Sequence, residues 1–239
     1  MGSHIAARVD RIGVVVPVHN EQDTLRDCLH ALGIAAGLVV VPVTIVVVLD
    51  ACTDGSAAVV DQFASQRVRR VVLNVRCVGA ARAAGMTALL ERHGPAGTWL
   101  ATTDADSVVP PHWLSTQLRH AASGARVVAG TVAVEDWQDP SGTLAERASR
   151  DYLAKPHRHI HGANLSFAAQ TYCAAGGFQP VRYDEDVQLV EAFNAGGAPI
   201  AWAVDLAVTT SARRRGRAPK GFAGYLSALE TSLEGSVGG

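Results

Sequence analysis

The chain has 239 residues, 48% hydrophobic, 18% charged and 5% aromatic, with a formal net charge of −1 and a pI of about 6.7. That length fits one domain with little appended, and the apolar share is ample for a packed core and excludes a disordered chain. The near-zero balance excludes a platform for nucleic acid, which needs a basic field. All 21 basic residues are Arg except Lys155 and Lys220, and Arg favours forked contacts with phosphate or carboxylate. The longest apolar run, Leu38 to Leu49, is interrupted by Pro42 and Thr44 and is too short to span a bilayer. The start lacks the basic-then-apolar order of a signal peptide, and Met1 to His4 reads as an expression scar. Cys28, Cys52, Cys77 and Cys173 form no CxxC pair and read as reduced thiols, so the expected location is cytoplasmic.

In chain order, strand and helix patterns alternate. Ile12–Val18 is a β-branched run, and Glu21–Ala35 follows with Leu25, Cys28, Leu29 and Leu32 on one helical face. Thr44–Leu49 is a second continuous apolar run, bounded by Asp50. Asp54 is placed to cap a helix over Gly55–Ser65. Strands are expected over Val68–Val75 and Thr98–Thr103, with an Ala-rich helix over Gly79–Arg92 between them. Pro110 and Pro111 open a helix reaching Ser123. The second half is less regular. It predicts strands over Arg126–Val134, Ala163–Phe167 and Ile200–Thr209. Helices are expected over Thr143–Ala154, over Asp184–Asn194 and from Phe222 onward.

Continuous apolar strands separated by helices predict an α/β fold with a Rossmann-like, mostly parallel sheet covered on both faces, in a single domain. Such sheets bind ligands outside the carboxyl ends of their strands. His19, Asn20, Asp50 and Asp104 all fall at predicted strand ends, hence on one edge of the molecule. The expected division is a flexible 1–10, a domain over 11–225 and a tail over 226–239. Within the domain, the expected halves are 11–123 and 124–225.

Five constellations carry chemistry. Thr102 to Ser107 holds Asp104 and Asp106 two apart beyond a buried strand, and two hard carboxylates aimed into a crevice suit a divalent cation that brings its own phosphate ligands. In Asp50 to Ser56, Asp50 can accept from a base or ribose or serve the turn, and Asp54 suits a helix cap. Tyr183 to Leu189 places Asp184, Glu185 and Asp186 at a helix N-terminus, more acids than a cap needs. Their mutual repulsion raises at least one pKa, as a general base requires. His161 to Phe167 offers Gly162 for close approach and Asn164 as donor and acceptor. His157, His159 and His161 alternate, without the nearby Cys or acid of a zinc site. Ser211 to Lys220 is a basic loop whose Arg213 and Arg217 could clamp a pyrophosphate.

In this order the features resemble glycosyltransferase family 2, which has the GT-A fold. Val15 to Glu21 is similar to the family's "IPxxNE" opening. Val48 to Ser56 resembles "VDDGSTDGT", with Leu49 in place of the first acid and Ala51 in place of Gly. Gly79 to Gly85 resembles "GxxxARNxG", with Ala83 in place of Asn. Asp104-Ala105-Asp106 matches the DXD motif, and His161–Ser166 the "GxN" strand. Gly176-Gly177-Phe178 matches "GGF", and Glu185 to Leu189 matches "EDxxL". The resemblance spans about Arg11 to Lys220, and the "QxxRW" motif of processive synthases is missing from it.

The resemblance implies an inverting glycosyltransferase that moves a sugar from a UDP- or GDP-sugar to an acceptor hydroxyl with Mn²⁺ or Mg²⁺. Pro17, Asn20, Glu21 and Asp50 would line the nucleotide pocket, with Arg82 nearby. Asp104 would face the ribose or base and the metal, and Asp106 would coordinate the metal. Asp186 would be the catalytic base beside Glu185, with His161, Gly162 and Asn164 on the acceptor side. A non-catalytic sugar-nucleotide binder of the same fold remains the alternative, because the Asp50 segment is reduced. A haloacid dehalogenase-like phosphatase fits less well, since its acidic motif opens the chain whereas three predicted strands precede Asp104. The turn after the first strand lacks the GxGxxG of a dinucleotide enzyme.

Overall fold

Strands buried on both faces read as unbroken apolar runs, and the first two do so because each is sandwiched. In β1 (Arg11–Val18), Ile12, Val14, Val16 and Val18 point into one helical layer and Val15 into the other. β2 (Val43–Asp50) alternates the same way, with Ile45 and Val47 opposite Val46 and Val48. A computed structural model of the chain describes residues 8–65, 67–135 and 160–211.

The remaining strands are β3 (Val68–Leu73), β4 (Thr98–Thr102), β5 (Ser107–Val108), β6 (Val127–Glu135), β7 (Leu165–Ala168) and β8 (Ile200–Ser211). The sheet runs β3-β2-β1-β4-β7-β6-β8-β5. On one face lie α1 (Leu25–Gly37), α2 (Ser56–Gln62) and α4 (Trp113–Ala122). On the other lie α3 (Val78–His93), α5 (Ala169–Ala174) and α6 (Glu185–Ala195). α3 presses close to the sheet because Gly85 has no side chain: a Cβ there would stand 2.5 Å from Val15 Cγ1.

The β3-β2-β1-β4 block is parallel, as its helix-linked strands require. Beyond β4 the sheet is mixed. β7 runs antiparallel to both β4 and β6, β6 and β8 are parallel, and β5 pairs antiparallel with β8. The β6–β8 ladder slips between Gly130 and Thr131, so that Gly130 faces Ala203 while Thr131 faces Ala207. Asn164 fastens this bulge. Its Nδ2 donates to the carbonyls of Thr131 and Leu206 at 2.8 Å each, and its Oδ1 accepts from Trp113 Nε1 at 2.9 Å. Gly130 is the residue that lets the amide in, since a Cβ would lie 2.2 Å from Asn164 Nδ2.

Several boundaries depart from the sequence reading for local reasons. α1 begins at Leu25 rather than Glu21: a turn over 22–24 precedes it, with the Glu21 and Gln22 amides donating to Ser56 Oγ and Asp54 Oδ2. β3 stops at Leu73 rather than Val75, because the Val75 and Arg76 amides go to the Asp50 carboxylate. Asp54 holds the Ser56 amide from one residue before the N-cap of α2, which is Gly55. The strand expected from Ala163 opens instead as a 3₁₀ turn over Gly162–Asn164. β5 and α5, two and six residues long, are too short for a periodicity to register. The helices expected over Thr143–Ala154 and from Phe222, with His157 and His159, lie outside the described residues.

Gly85→Ala forces a methyl group against Val15, which is fully buried and cannot yield. Overpacking of this kind costs about 1–3 kcal/mol. Chemical denaturation should show that loss as a lower midpoint with an unchanged slope.

Candidate functional site

The carboxyl ends of β1, β2 and β4 open onto a cleft of about 940 Å³. Around it stand Pro17 near the end of β1, His19 and Glu21 after it, Asp50 at the end of β2, Arg76 and Cys77 before α3, Arg82 in α3, and Asp104 and Asp106 after β4. The opposite wall brings His161, Gly162, Arg182, Tyr183, Glu185 and Asp186. Ten of the sequence-derived candidates therefore meet in one place: Pro17, Glu21, Asp50, Arg82, Asp104, Asp106, His161, Gly162, Glu185 and Asp186.

Arg82 sits at the centre of this arrangement, 2% exposed. Its Nε donates to Glu185 Oε1 at 3.1 Å, its Nη2 to Asp104 Oδ1 at 2.6 Å, and its Nη1 to the Gly162 carbonyl at 3.0 Å and to Thr102 Oγ1. Four of its five N–H groups are thus engaged inside the protein, and the Phe178 ring lies 5.9 Å from Cζ. The sequence reading put Arg82 beside the nucleotide; the structure makes it the junction between the β4 turn and the start of α6. Gly162 is what admits it, because a Cβ there would lie 2.4 Å from Arg82 Nη2.

The electrostatics follow from one cation shared among several acids. Burial works against the Arg82 charge, but Asp104, Glu185 and Asp186 outweigh it and hold the guanidinium pKa above its usual value. Burial pushes the Glu185 carboxyl up, and Arg82 only partly pulls it back. Asp186 is also raised, by burial first and by Asp104, against the pull of Arg82 and two amides. Those amides are Gly162 N–H on Oδ2 at 2.6 Å and Val187 N–H on Oδ1 at 2.8 Å. The pair fixes the orientation of the Asp186 carboxylate at the cleft wall.

Asp50 plays a different part from the one its position suggests. It is 3% exposed, and its oxygens accept from the amides of Val75, Arg76 and Cys77 at 2.7–2.9 Å. It shapes the loop between β3 and α3, in which Arg76 adopts a positive φ of 52°. Asn20 does not line the cleft; it ties the β1 loop to the β2 loop through the Thr53 amide at 2.7 Å. Asn164 is likewise absent from the wall, being buried as the clasp of the β6–β8 bulge. Arg213 and Arg217 lie outside the described residues. Sequence reasoning passed over Arg76, Arg182 and Thr210, and gave Tyr183 no role of its own. The two arginines sit singly in loops, so no run of charge marked them.

Asp104 and Asp106 are the residues that could hold a metal. Asp104 gives one oxygen to Arg82 and keeps its side chain 38% exposed; Asp106 has Oδ1 within 3.5 Å of Ser107 Oγ and Thr210 Oγ1. No group of three or more His, Cys, Asp or Glu placed to hold a metal occurs among the described residues. Two hard carboxylates facing a cleft do fit Mg²⁺ or Mn²⁺, whose remaining ligands would be diphosphate oxygens and water.

The model of the family described as "Glycosyl transferase family 2" matches residues 13–184. The chain belongs to glycosyl transferase family 2. Solved structures share its GT-A fold. A mannosyltransferase from Pyrobaculum calidifontis, in complex with GDP-Man and Mn²⁺, is 22% identical with a TM-score of 0.66, over 88% of this chain and 59% of that one. S. aureus TarS 1–349 in complex with UDP-GlcNAc is 13% identical with a TM-score of 0.64, over 87% of this chain and 60% of that one. A mycobacterial protein is 18% identical with a TM-score of 0.54, over 95% of this chain and 72% of that one. The chain thus spans about three-fifths of the length of the TarS and mannosyltransferase chains. No curated protein matches it. Among the described residues of this family 2 chain, no helix is long and apolar enough to cross a membrane.

Arg82→Met removes the cation from between a buried Glu185 and Asp104. Breaking a buried pair this way costs about 3–5 kcal/mol. Urea denaturation should show that loss, and Arg82→Met combined with Glu185→Gln should recover part of it, because the stranded charge is gone.

Proposed function

We propose that the chain transfers a sugar from a nucleoside-diphosphate sugar to an acceptor hydroxyl with inversion, assisted by Mn²⁺ or Mg²⁺. The observation that carries this reading is the meeting, across one cleft, of the Asp104–Asp106 turn and the amide-held Asp186 within a family 2 domain. Glycosyltransferase structures of the same fold bound to UDP-GlcNAc and to GDP-Man with Mn²⁺ support the donor class and the metal. We assign residues 11–123 to the donor side and 124–225 to the acceptor side.

Pro17, Glu21 and Asp50 form the donor pocket, Asp50 by holding the 75–77 loop in shape. Asp106 and the exposed part of Asp104 would hold the cation, which when bound would supply charge neutralisation on the departing diphosphate. Arg182, on the cleft wall, is assigned to phosphate, and Arg213 and Arg217 to a clamp on it. Asp186 takes the proton from the acceptor hydroxyl. The oxygen then attacks the anomeric carbon from the face opposite the leaving group, the bond to the diphosphate oxygen breaks, and the configuration inverts. A base needs a pKa near its working pH, and burial moves Asp186 in that direction. His161 and Gly162 border the acceptor's approach.

Asp186→Asn should lower kcat by about 10²–10⁴-fold while donor affinity stays within about threefold, given the loss of a proton acceptor and not of a donor contact. Turnover by a panel of UDP- and GDP-sugars with Mn²⁺ checks it; tight binding with no turnover by the wild type would favour a non-catalytic binder. Asp186 works deprotonated, so kcat should fall as pH drops through its raised pKa. The acidic limb of the wild-type kcat profile should therefore sit above the usual aspartate value of 3.8.

A further inference from the structure

We propose that the protein carries a second binding site, for a phosphate group, at the end of the sheet opposite the cleft, built from Arg11, Arg69, Arg92 and His93. The site stands apart from the cleft and from whatever the cleft binds.

The cleft opens at the carboxyl ends of β1, β2 and β4. At their amino ends β1 and β2, with β3 beside them, meet the carboxyl end of α3, which closes on Arg92 and His93. Side chains alternate along a strand, so the positions facing α3 recur in steps of two. In β1, a Cβ on Gly13 would meet Leu89 of α3, which puts Arg11 on that face. In β2, Val46 and Val48 pack on that side, and Thr44 joins them with its Oγ1 3.2 Å from His93 Nε2. In β3, Val71 and Leu73 pack there too, which puts Arg69 on the same face. The parallel register of the three strands brings these positions together under the last turn of α3.

The charge at this end is one-sided. His93 is held below the usual histidine pKa by burial first, and then by Arg92, Arg11 and Arg69. Among the described residues, none of these three arginines forms an ion pair. Of the acids close in sequence, Asp10 pairs with Arg8 at 3.1 Å and Asp61 with Arg70 at 2.8 Å. Glu91, next to Arg92, pairs with none of the three. The free carbonyls at the end of α3 favour basic residues in its last turn, which accounts for Arg92 and His93. They do not account for Arg11 and Arg69, which come from strands.

Three guanidinium groups around one imidazole repel one another unless an anion sits among them. Arg11 is already held in place, since its Nη1 donates to the Ala96 carbonyl at 3.0 Å. Arg69 and Arg92 are exposed and open to a ligand from solvent. A phosphate group offers oxygens on several sides, each able to accept from a separate guanidinium fork. It can arrive as free phosphate or as the headgroup of an anionic lipid. Leu38 and Val40, exposed on the loop that enters β2 at this same end, are the aliphatic contacts a lipid surface would add.

The test is an NMR titration of His93 in the full chain, with its ring signal assigned by its loss in His93→Gln. Inorganic phosphate is compared with chloride at equal ionic strength. Phosphate should raise the His93 pKa by about one unit, because an anion then stands among the cations that depress it. The effect should saturate, whereas chloride only screens. Arg69→Ala combined with Arg92→Ala, both at exposed positions, should leave the chain folded and abolish the response. A second arm sediments the chain with phosphatidylcholine vesicles, with and without phosphatidylglycerol. Binding to the anionic vesicles that the double variant loses supports the site and assigns the phosphate to a headgroup. A saturable phosphate response without vesicle binding supports it and assigns the phosphate to a free anion. A phosphate response no larger than that of chloride overturns the proposal if vesicles do not bind, or if the double variant still binds them. A saturable response that the double variant retains also overturns it.

Discussion

The cleft depends on one buried cation. Taking a guanidinium out of water is costly unless charge and hydrogen bonds replace the lost hydration. Arg82 obtains that replacement from four separate segments: the β4 strand through Thr102, the turn after it through Asp104, the 3₁₀ turn through the Gly162 carbonyl, and α6 through Glu185. The end of β4 with its turn, the 3₁₀ turn and α6 are far apart in sequence, and two of these carry candidate catalytic or metal-binding groups. The requirement to solvate one charge therefore sets the spacing between the acids of the donor side and the acid proposed as base.

Around that junction the fold repeatedly trades a side chain for an approach. Gly162 is bare so that Arg82 can enter, Gly130 so that Asn164 can reach the bulge, and Gly85 so that α3 can lie on β1. The polar residues that look available for ligand in the sequence are often the ones closing such gaps. Asn20 joins two loops, Asn164 clasps the β6–β8 bulge, and Asp50 fastens three amides. The groups left facing the cleft are mostly charged.

The parallel half of the fold was legible because burial on both faces writes itself as unbroken Val and Ile runs, and the strand ends could be read from Asp50 and Asp104. The acids of the site were legible because each stands directly after such a run or at a helix start. The antiparallel return of β7 and the slip of β8 were not, since both are set by partners distant in the chain. Asn164 illustrates the difference. Its sequence neighbours mark it as a polar group beside a Gly, but its three hydrogen bonds run to Trp113, Thr131 and Leu206. Arg76 was passed over for a related reason: its loop at the cleft wall is held in a positive φ by the Asp50 carboxylate from another strand.

The position of β4 between β1 and β7 has a consequence for how the chain reaches this state. β4 is buried on both faces, and both of its partners are distant in the chain: Arg11 of β1 faces Thr98, and Leu165 of β7 faces Thr102. Contacts closed over such long separations form slowly. Synthesis delivers β1 before β4 and β7 well after it, so the strand that ends in the Asp104 turn carries an unpaired edge until the second half emerges. Edges of that kind recruit other copies of themselves. The same strand that brings the metal-side acids into the cleft is therefore a point at which an unfinished chain is open to aggregation.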